Sequence, residues 1–376
     1  MRTHAAVLYE MGKSEPYLES QPLVVEEVEL EPPGPGEVLV ELVGAGLCHS
    51  DLSTINGTIP RRLPMILGHE ASGIVREIGP GVKDLAPDDH VVFSFVPTCG
   101  HCLYCSIGRP ALCENGARAN LAGTLLSGAV RFHKNDQRVL HYLGVSAFSQ
   151  YTVAAQESLI KIDKSIPLDK AALFGCGVLT GVGAVINTAK VSPGEPIVVF
   201  GLGGVGLSAI MGAKLAGAWP IIAVDVLPAK FDQAKRLGAN FTVNARDSDP
   251  VTAVRELTGG GAEYAFEAVG NVRVLEQAYK ATRSGGKTIC IGIPHHSQHV
   301  SLQTLPLVAL EKTVQGSFMG SAVPRRDIPR LLNLYQAGQL PVDELLSPPV
   351  SLEDINTGFD RLSQGSAIRQ LIHFSS

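Results

Sequence analysis

Four cysteines, Cys99, Cys102, Cys105 and Cys113, fall within the run CGHCLYCSIGRPALC. Two-residue gaps let consecutive thiolates turn back on one ion, and a fourth sulfur a short loop away closes a tetrahedron, as a structural zinc demands. The competing uses are a redox dithiol or a set of disulfides. Redox CxxC motifs are usually single pairs near the start of a βαβ unit, and disulfide frameworks belong mostly to small secreted chains, so a closed zinc site is the expectation. Two of the remaining three cysteines have different surroundings: Cys48 in GLCHSD and Cys176 in LFGCGVLTG, with His69 between them in LGHEASG. These three residues form a Cys2His donor set, the pattern of a catalytic zinc that keeps its fourth position open for water or substrate.

A second chemistry is written in glycine. Gly201, Gly203, Gly204 and Gly206 in GLGGVG fit G-x-G-x-x-G, directly after the apolar run IVVF and directly before a helical pattern. In such a loop the first glycine permits the turn, the second admits a pyrophosphate close to the backbone, and the third lets helix pack on strand. The phosphates then sit at the helix N-terminus. Asp225 ends the next apolar run, IIAVDV. A carboxylate there accepts hydrogen bonds from an adenosine ribose and repels a 2′-phosphate, which favours NAD over NADP. Lys230 lies within reach of the same ribose, although a solvated helix lysine explains its spacing as well.

These sites require at least two supporting bodies. A chain of 376 residues exceeds what one core usually supports. Hydrophobic residues make up 45%, charged residues only 18%, and there are 40 glycines, which points to a well-buried α/β protein with many tight turns rather than a disordered chain. A net charge of −5 offers no electrostatic footprint for nucleic acid or an anionic membrane.

The N-terminus, MRTHAAVLYEMGKSEP, has too short an apolar stretch for a signal peptide, so the mature chain is expected to begin at Met1 or Arg2. The uncharged run from Pro196 to Ala213 approaches the length of a membrane span, but its glycines mark a strand-to-helix turn of a soluble fold. Thiols expected to be unpaired place the chain in the cytoplasm.

Up to about residue 176 the pattern is short β-rich segments broken by Gly and Pro: EVLVELVGAG, SGIVREIG and HVVFSFV, read as strands of a twisted, barrel-like domain. Residues 115 to 141 read as a polar, irregular excursion before FSQYTVAA resumes a strand. After Cys176, strands and helices alternate from IVVFG to TICIGI, which argues for a parallel sheet covered on both faces. The C-terminal stretch ending in IRQLIHF is expected to return to the first domain.

The sequence resembles one family over essentially its whole length: the zinc-dependent medium-chain alcohol dehydrogenases, especially the liver-type long subunits and their glutathione-dependent formaldehyde dehydrogenase relatives. The resemblance rests on Gly68-His69-Glu70-x2-Gly73-x5-Gly79-x2-Val82, the four-cysteine lobe, GCGVLTGVGAVINTAKV around Cys176, and VFGLGGVGLSAIMGAK. It implies an α/β fold: a GroES-like β-barrel catalytic domain over residues 1–177 and 320–376, and a Rossmann doubly wound parallel-sheet NAD-binding domain over residues 178–319.

It also implies two zinc ions per subunit, one catalytic at Cys48, His69 and Cys176 and one structural at the four-cysteine lobe. Asp51 then supports His69, Glu70 lies behind the metal, and Ser50 begins a proton relay. His49 and Arg369 would contact the cofactor pyrophosphate, while Thr180 and Val205 would press the nicotinamide toward substrate. Phe95, Tyr142, Leu143, Ile293 and Phe318 would surround the substrate channel. An open zinc beside NAD acidifies a bound alcohol as it does water, and in reverse polarises a carbonyl.

The implied function is NAD-dependent oxidation of a small-molecule alcohol. The aromatic channel favours primary aromatic, allylic or medium-chain alcohols, and a homodimer pairing edge strands around TICIGI and TVQGSF is expected.

The pattern departs from the family at two places. Ser53 stands where many liver-type members end the relay with histidine, so a flatter or shifted pH dependence is expected. The stretch STINGTIPRRLP carries none of the acids, and Ala117 with Arg118 one later does not match the arginine, by which the glutathione-dependent relatives hold their substrate. S-hydroxymethylglutathione is therefore disfavoured as substrate, and a thiol-dependent formaldehyde dehydrogenase, with glutathione or another thiol, is the alternative reading. A non-catalytic NAD-binding protein is the other, and its mark would be loss of Cys48, His69, Cys176 or Ser50, all of which are present.

Overall fold

The computed structural model describes residues 1–374 and divides into two compact units. The first comprises Met1–Cys176, Val323–Gln336 and the chain from Leu346 onward; the second comprises Gly177–Ala322 and Ala337–Leu345.

Alternating and fully apolar strands build the first unit. Arg2–Leu8, Leu23–Leu30, Phe132–Lys134, Gln137–His141 and Met65–Ile66 close into a barrel. A second sheet orders Leu159–Ile162, His90–Phe93, Ala71–Ile78, Glu37–Gly46 and Leu371–His373, with Tyr151–Ala155 also paired to Glu37–Gly46. Phe93, Phe132 and Phe148 are fully buried within this unit.

The stretch expected to be irregular is ordered. Cys113 accepts a hydrogen bond from the Gly116 N–H at 3.4 Å and caps the helix Glu114–Ala122. Asn135 and Asp136, with φ of 49° and 62°, form the two-residue turn that joins Phe132–Lys134 to Gln137–His141. That hairpin completes the barrel, which is why the segment is not a loop.

In the second unit, Gly177–Ala322 supplies one parallel sheet. Its order is Phe241–Asn244, Ile221–Asp225, Ile197–Phe200, Ala262–Glu267, Thr282–Cys290 and Thr313–Gly316. Numbered along the chain, this is the 3-2-1-4-5-6 order of the doubly wound dinucleotide-binding fold. Ile197–Phe200 is buried throughout, as a central parallel strand requires. The run from Pro196 to Ala213 is this strand plus most of the buried helix Gly204–Leu215. No single helix among the described residues is long and apolar enough to cross a membrane.

One buried histidine holds the segment that leads from the barrel toward the site. His141 accepts a hydrogen bond at Nε2 from the Arg131 backbone N–H at 3.1 Å, and Ser146 Oγ lies 3.4 Å from its Nδ1. Burial and the Arg131 charge push it down to about 3. An unfolded histidine titrates near about 6.5, so below that pH the unfolded chain takes up a proton that the folded chain refuses, and stability falls as pH drops. Around pH 5.5 this adds about 1 kcal/mol per pH unit to the slope of unfolding free energy. His141→Asn is expected to remove that increment in denaturant titrations, and an unchanged slope would contradict the assignment.

Candidate active site and cofactor site

The open donor set is assembled by two short segments and one strand-to-helix junction of the first unit. Cys48 is the N-cap of the helix His49–Ile55. His69 follows Gly68, whose φ of 88° a side chain would strain, and whose added Cβ would lie 2.7 Å from Phe148. Cys176 ends the 3-10 turn Ala172–Gly175. All three residues are buried, and their donor atoms lie within 4.8 Å of one another.

Asp51 ties these segments together. Its Oδ2 accepts from the Cys48 N–H at 3.2 Å, while Oδ1 accepts from the Gly68 N–H at 3.1 Å and faces His69 Nδ1 at 3.1 Å. With Nδ1 held by the carboxylate, Nε2 is left as the donor for a metal. Burial pushes the Asp51 carboxyl up, and the His69 charge and hydrogen bond pull against it. Burial likewise opposes the His69 cation, but Asp51 and the Cys48 thiolate outweigh burial and raise His69 to about 10. Cys48 is held well below the usual thiol range by its contact with Cys176, against burial, and by His69. Two thiolates and an imidazole at this spacing suit zinc, whose binding replaces the imidazole proton.

The groups around this set have defined places. Ser50 Oγ lies 4.0 Å from Cys48 Sγ. The ring of Phe95 meets His69 edge-on at 5.4 Å and that of Tyr142 at 5.8 Å. Tyr142 also donates its hydroxyl proton to the Ser50 carbonyl at 3.0 Å, with Thr54 Oγ1 3.2 Å away. Leu143 is half-buried with φ of 53°. Glu70 is fully buried and forms an ion pair with Arg369, itself buried, so the arginine expected at a cofactor phosphate has a carboxylate partner here. His49 is exposed in the first helical turn, and Ser53 is half-buried on the same helix.

The four-cysteine lobe converges as well. The sulfurs of Cys99, Cys102, Cys105 and Cys113 lie within 4.8 Å of one another, and no disulfide forms among the described residues. Backbone N–H groups point at these sulfurs: Cys99 to Cys113 at 3.3 Å and Cys102 to Cys99 at 3.4 Å. Burial works against the Cys99 thiolate, yet the His101 and Cys102 backbone donors prevail and bring it down to about 6. Burial pushes Cys105 and Cys113 the other way, upward, so a metal ion bound here would displace their protons; four sulfurs at this spacing fit a closed zinc.

The second unit carries the glycine loop. Gly201 takes φ of 92°, and a Cβ on Gly206 would collide with the Gly201 carbonyl oxygen, whereas one on Gly203 would meet nothing within 4 Å. The last is the open cradle a pyrophosphate needs at the start of the helix Gly204–Leu215. Asp225 Oδ2 accepts from the Leu202 N–H at 2.7 Å, and Oδ1 from Val226 at 2.7 Å and Leu227 at 2.9 Å. Lys230 Nζ lies 3.7 Å from Asp225. Thr180 and Val205 are both half-buried, on the adjacent helices Gly177–Gly183 and Gly204–Leu215.

Ile293 and Phe318 of this unit are 54% and 46% exposed, so neither belongs to a core. Glu267 escaped the sequence reading: its Oε1 accepts from the N–H groups of Val269 at 2.8 Å and Gly270 at 2.7 Å, at the end of the strand beside the glycine loop. An acid closing an apolar strand just before a glycine, as in FEAVG, was the available signal.

The chain is similar to known proteins over its whole length. The alcohol dehydrogenase GroES-like domain family matches residues 34–164, and the zinc-binding dehydrogenase family matches residues 204–337. An S-(hydroxymethyl)glutathione dehydrogenase from Synechocystis sp. is 40% identical over 378 residues, covering all of both chains. The chain belongs to the zinc-dependent medium-chain alcohol dehydrogenase family. It is therefore an oxidoreductase of a class that uses zinc and NAD(P).

Solved structures agree. The benzyl alcohol dehydrogenase of Acinetobacter calcoaceticus is 34% identical with a TM-score of 0.93, and an alcohol dehydrogenase zinc-binding domain protein from Burkholderia ambifaria is 35% identical with a TM-score of 0.94; each match covers 100% of both chains. The barrel and the parallel sheet are thus the GroES-like and Rossmann folds that the resemblance implied.

Removing the Asp51 charge tests the site's design. Asp51→Asn keeps the side chain's volume but loses the anion that orients and charges His69, and is expected to weaken zinc binding by about 10- to 100-fold. Competition with a chelator, read by zinc content, measures this, and unchanged metal affinity would contradict it.

Proposed function

We propose that the chain catalyses the reversible oxidation of primary alcohols, aromatic, allylic or medium-chain, to aldehydes with NAD. The observation that carries this reading is the three-donor set, Cys48, His69 and Cys176, which leaves one tetrahedral position open. Bound there, zinc supplies Lewis acidity at that position, and NAD bound at the glycine loop supplies the hydride acceptor. A second zinc at the four-cysteine lobe has a purely structural part.

The chain's own residues perform the rest. Ser50 relays the substrate proton, accepting it at Oγ as its own hydroxyl proton passes on, and Tyr142 fixes that serine by holding its carbonyl. Phe95 and Tyr142 flank His69 with aromatic surface, which binds an apolar substrate body and excludes water. Asp51 keeps His69 in the Nδ1–H tautomer. With Ser53 standing where the relay would end in a histidine, the proton leaves Ser50 through water. Glu70, paired with Arg369, stands behind the metal, and His49 meets the cofactor phosphates. Asp225 is the residue we assign to the choice of NAD, because a carboxylate ending this strand would accept from an adenosine ribose and repel a 2′-phosphate.

The relative from Synechocystis sp. favours a second reading, thiol-dependent formaldehyde oxidation. Against it stands the stretch STINGTIPRRLP, which is basic where a glutathione amine would need an acid.

The assembly we assign is a homodimer. Of the two strands expected at the dimer edge, Thr282–Cys290, which leads into TICIGI, is paired on both sides and is no edge, whereas Thr313–Gly316 is one edge strand of its sheet. Leu305 and Val308 in the preceding helix Thr304–Ala309 are each 76% exposed, apolar surface that a second copy would cover. Seven unpaired cysteines suit the cytoplasm. A sedimenting monomer at micromolar concentration would contradict the first assignment, and recovery in an oxidising compartment the second.

The deciding assay is NADH formation by zinc-replete protein with ethanol, hexanol, benzyl alcohol, geraniol, and formaldehyde with and without glutathione, repeated with NADP. Each buried methylene contributes about 0.8 kcal/mol, so hexanol and benzyl alcohol are expected to exceed ethanol in kcat/KM by at least about tenfold, with NAD strongly preferred. Activity only with added thiol would establish the second reading, and no turnover would refute both.

A further inference from the structure

The loop between Ile55 and Met65 joins the helix that carries Cys48, Ser50 and Asp51 to the segment that leads into His69. It is anchored rather than free: the Gly12 N–H donates to the Ile55 carbonyl at 2.8 Å, and the Arg61 N–H donates to Met11 Sδ at 3.4 Å. The Arg61 guanidinium carbon lies 5.8 Å from the centroid of the Tyr142 ring, and that ring lies 5.8 Å from the His69 imidazole. Two such steps put the guanidinium within about 12 Å of the metal-binding histidine.

Nothing among the described residues neutralises this cation. Arg61 has no ion-pair partner, and its Nε is buried without a hydrogen-bond acceptor. Its neighbour Arg62 adds a like charge, and the stretch from Ser53 to Pro64 contains no acid. Contact with the face of Tyr142 accounts for the position of the guanidinium but uses none of its five N–H donors. A buried donor left unpaired is costly, so the arrangement suits an anion that arrives with the ligand. A carboxylate matches the planar fork of a guanidinium with two parallel hydrogen bonds. The Phe95 and Tyr142 rings beside His69 call for an apolar or aromatic body between that carboxylate and the reacting carbon.

We propose that Arg61 is a specificity-determining residue that binds a substrate carboxylate, so that the preferred substrates are primary alcohols and aldehydes bearing a carboxylate remote from the reacting carbon. This rests on the dehydrogenase reading above and narrows its substrate class. The guanidinium acts on substrate binding through charge and fixed geometry, and takes no part in the transfer of hydride or proton.

Benzyl alcohol and 4-(hydroxymethyl)benzoate share a ring and a reacting carbon and differ by the carboxylate. Their kcat/KM values, measured with NAD in the wild type, Arg61→Gln and Arg61→Lys at low and high ionic strength, test the proposal. The wild type is expected to favour the carboxylate substrate by about tenfold or more, as a charge-assisted bidentate pair provides. Arg61→Gln is expected to cut that preference by about 10- to 100-fold, Arg61→Lys to restore part of it, and salt to erode it.

A wild-type preference near one, or an equal loss for both alcohols in Arg61→Gln, would overturn the proposal. So would a rise confined to the KM for NAD, which would assign the guanidinium to the cofactor. Turnover of benzyl alcohol without a carboxylate preference refutes this inference alone, whereas no turnover of either alcohol refutes the dehydrogenase reading with it.

Discussion

The site depends on the burial of one carboxylate. Asp51 is fully buried, and an ion taken from water at such a position is costly unless its lone pairs are filled. Here they are filled by the Cys48 N–H, the Gly68 N–H and the His69 ring. Each donor belongs to a segment that carries or adjoins one of the residues proposed to hold the metal. The need to satisfy Asp51 therefore also sets the approach of Cys48 and His69, the tautomer of the imidazole, and the charge balance for two thiolates beside it.

The same device recurs in the second unit. Asp225 gathers the N–H groups of Leu202, Val226 and Leu227, and Glu267 gathers those of Val269 and Gly270. Both carboxylates end parallel strands, where the chain must turn sharply at the crevice used by dinucleotide-binding sheets. A carboxylate that accepts several backbone donors makes such a turn rigid. The collision that a Gly206 side chain would suffer with the Gly201 carbonyl then holds the phosphate loop tight against its helix.

What could be read in advance follows from how local each signal is. The lobe cysteines and the glycine loop are short-range patterns, and the Cys48, His69, Cys176 set stood out because each residue sits in a distinctive tripeptide. Strands such as Glu37–Gly46 and Ile197–Phe200 were visible because their burial leaves continuous apolar runs. The hairpin ending at His141 was missed although Asn135 and Asp136 spell its turn, because its polar outer face hid the alternation. The Glu70–Arg369 ion pair, the hold of Tyr142 on Ser50 and the place of Arg61 over Tyr142 join residues far apart in sequence. No spacing rule encodes such contacts, which appear only once the sheets have set the segments side by side.

In the proposed reaction Cys48, His69 and Cys176 hold the zinc at which the alcohol reacts. Anomalous diffraction at the zinc edge, on crystals of protein shown to be active, tests it most directly. The account predicts two peaks per chain, one enclosed by the four lobe cysteines and one bounded by Cys48 Sγ, His69 Nε2 and Cys176 Sγ with its fourth side open. Active crystals with density at the lobe alone would contradict it.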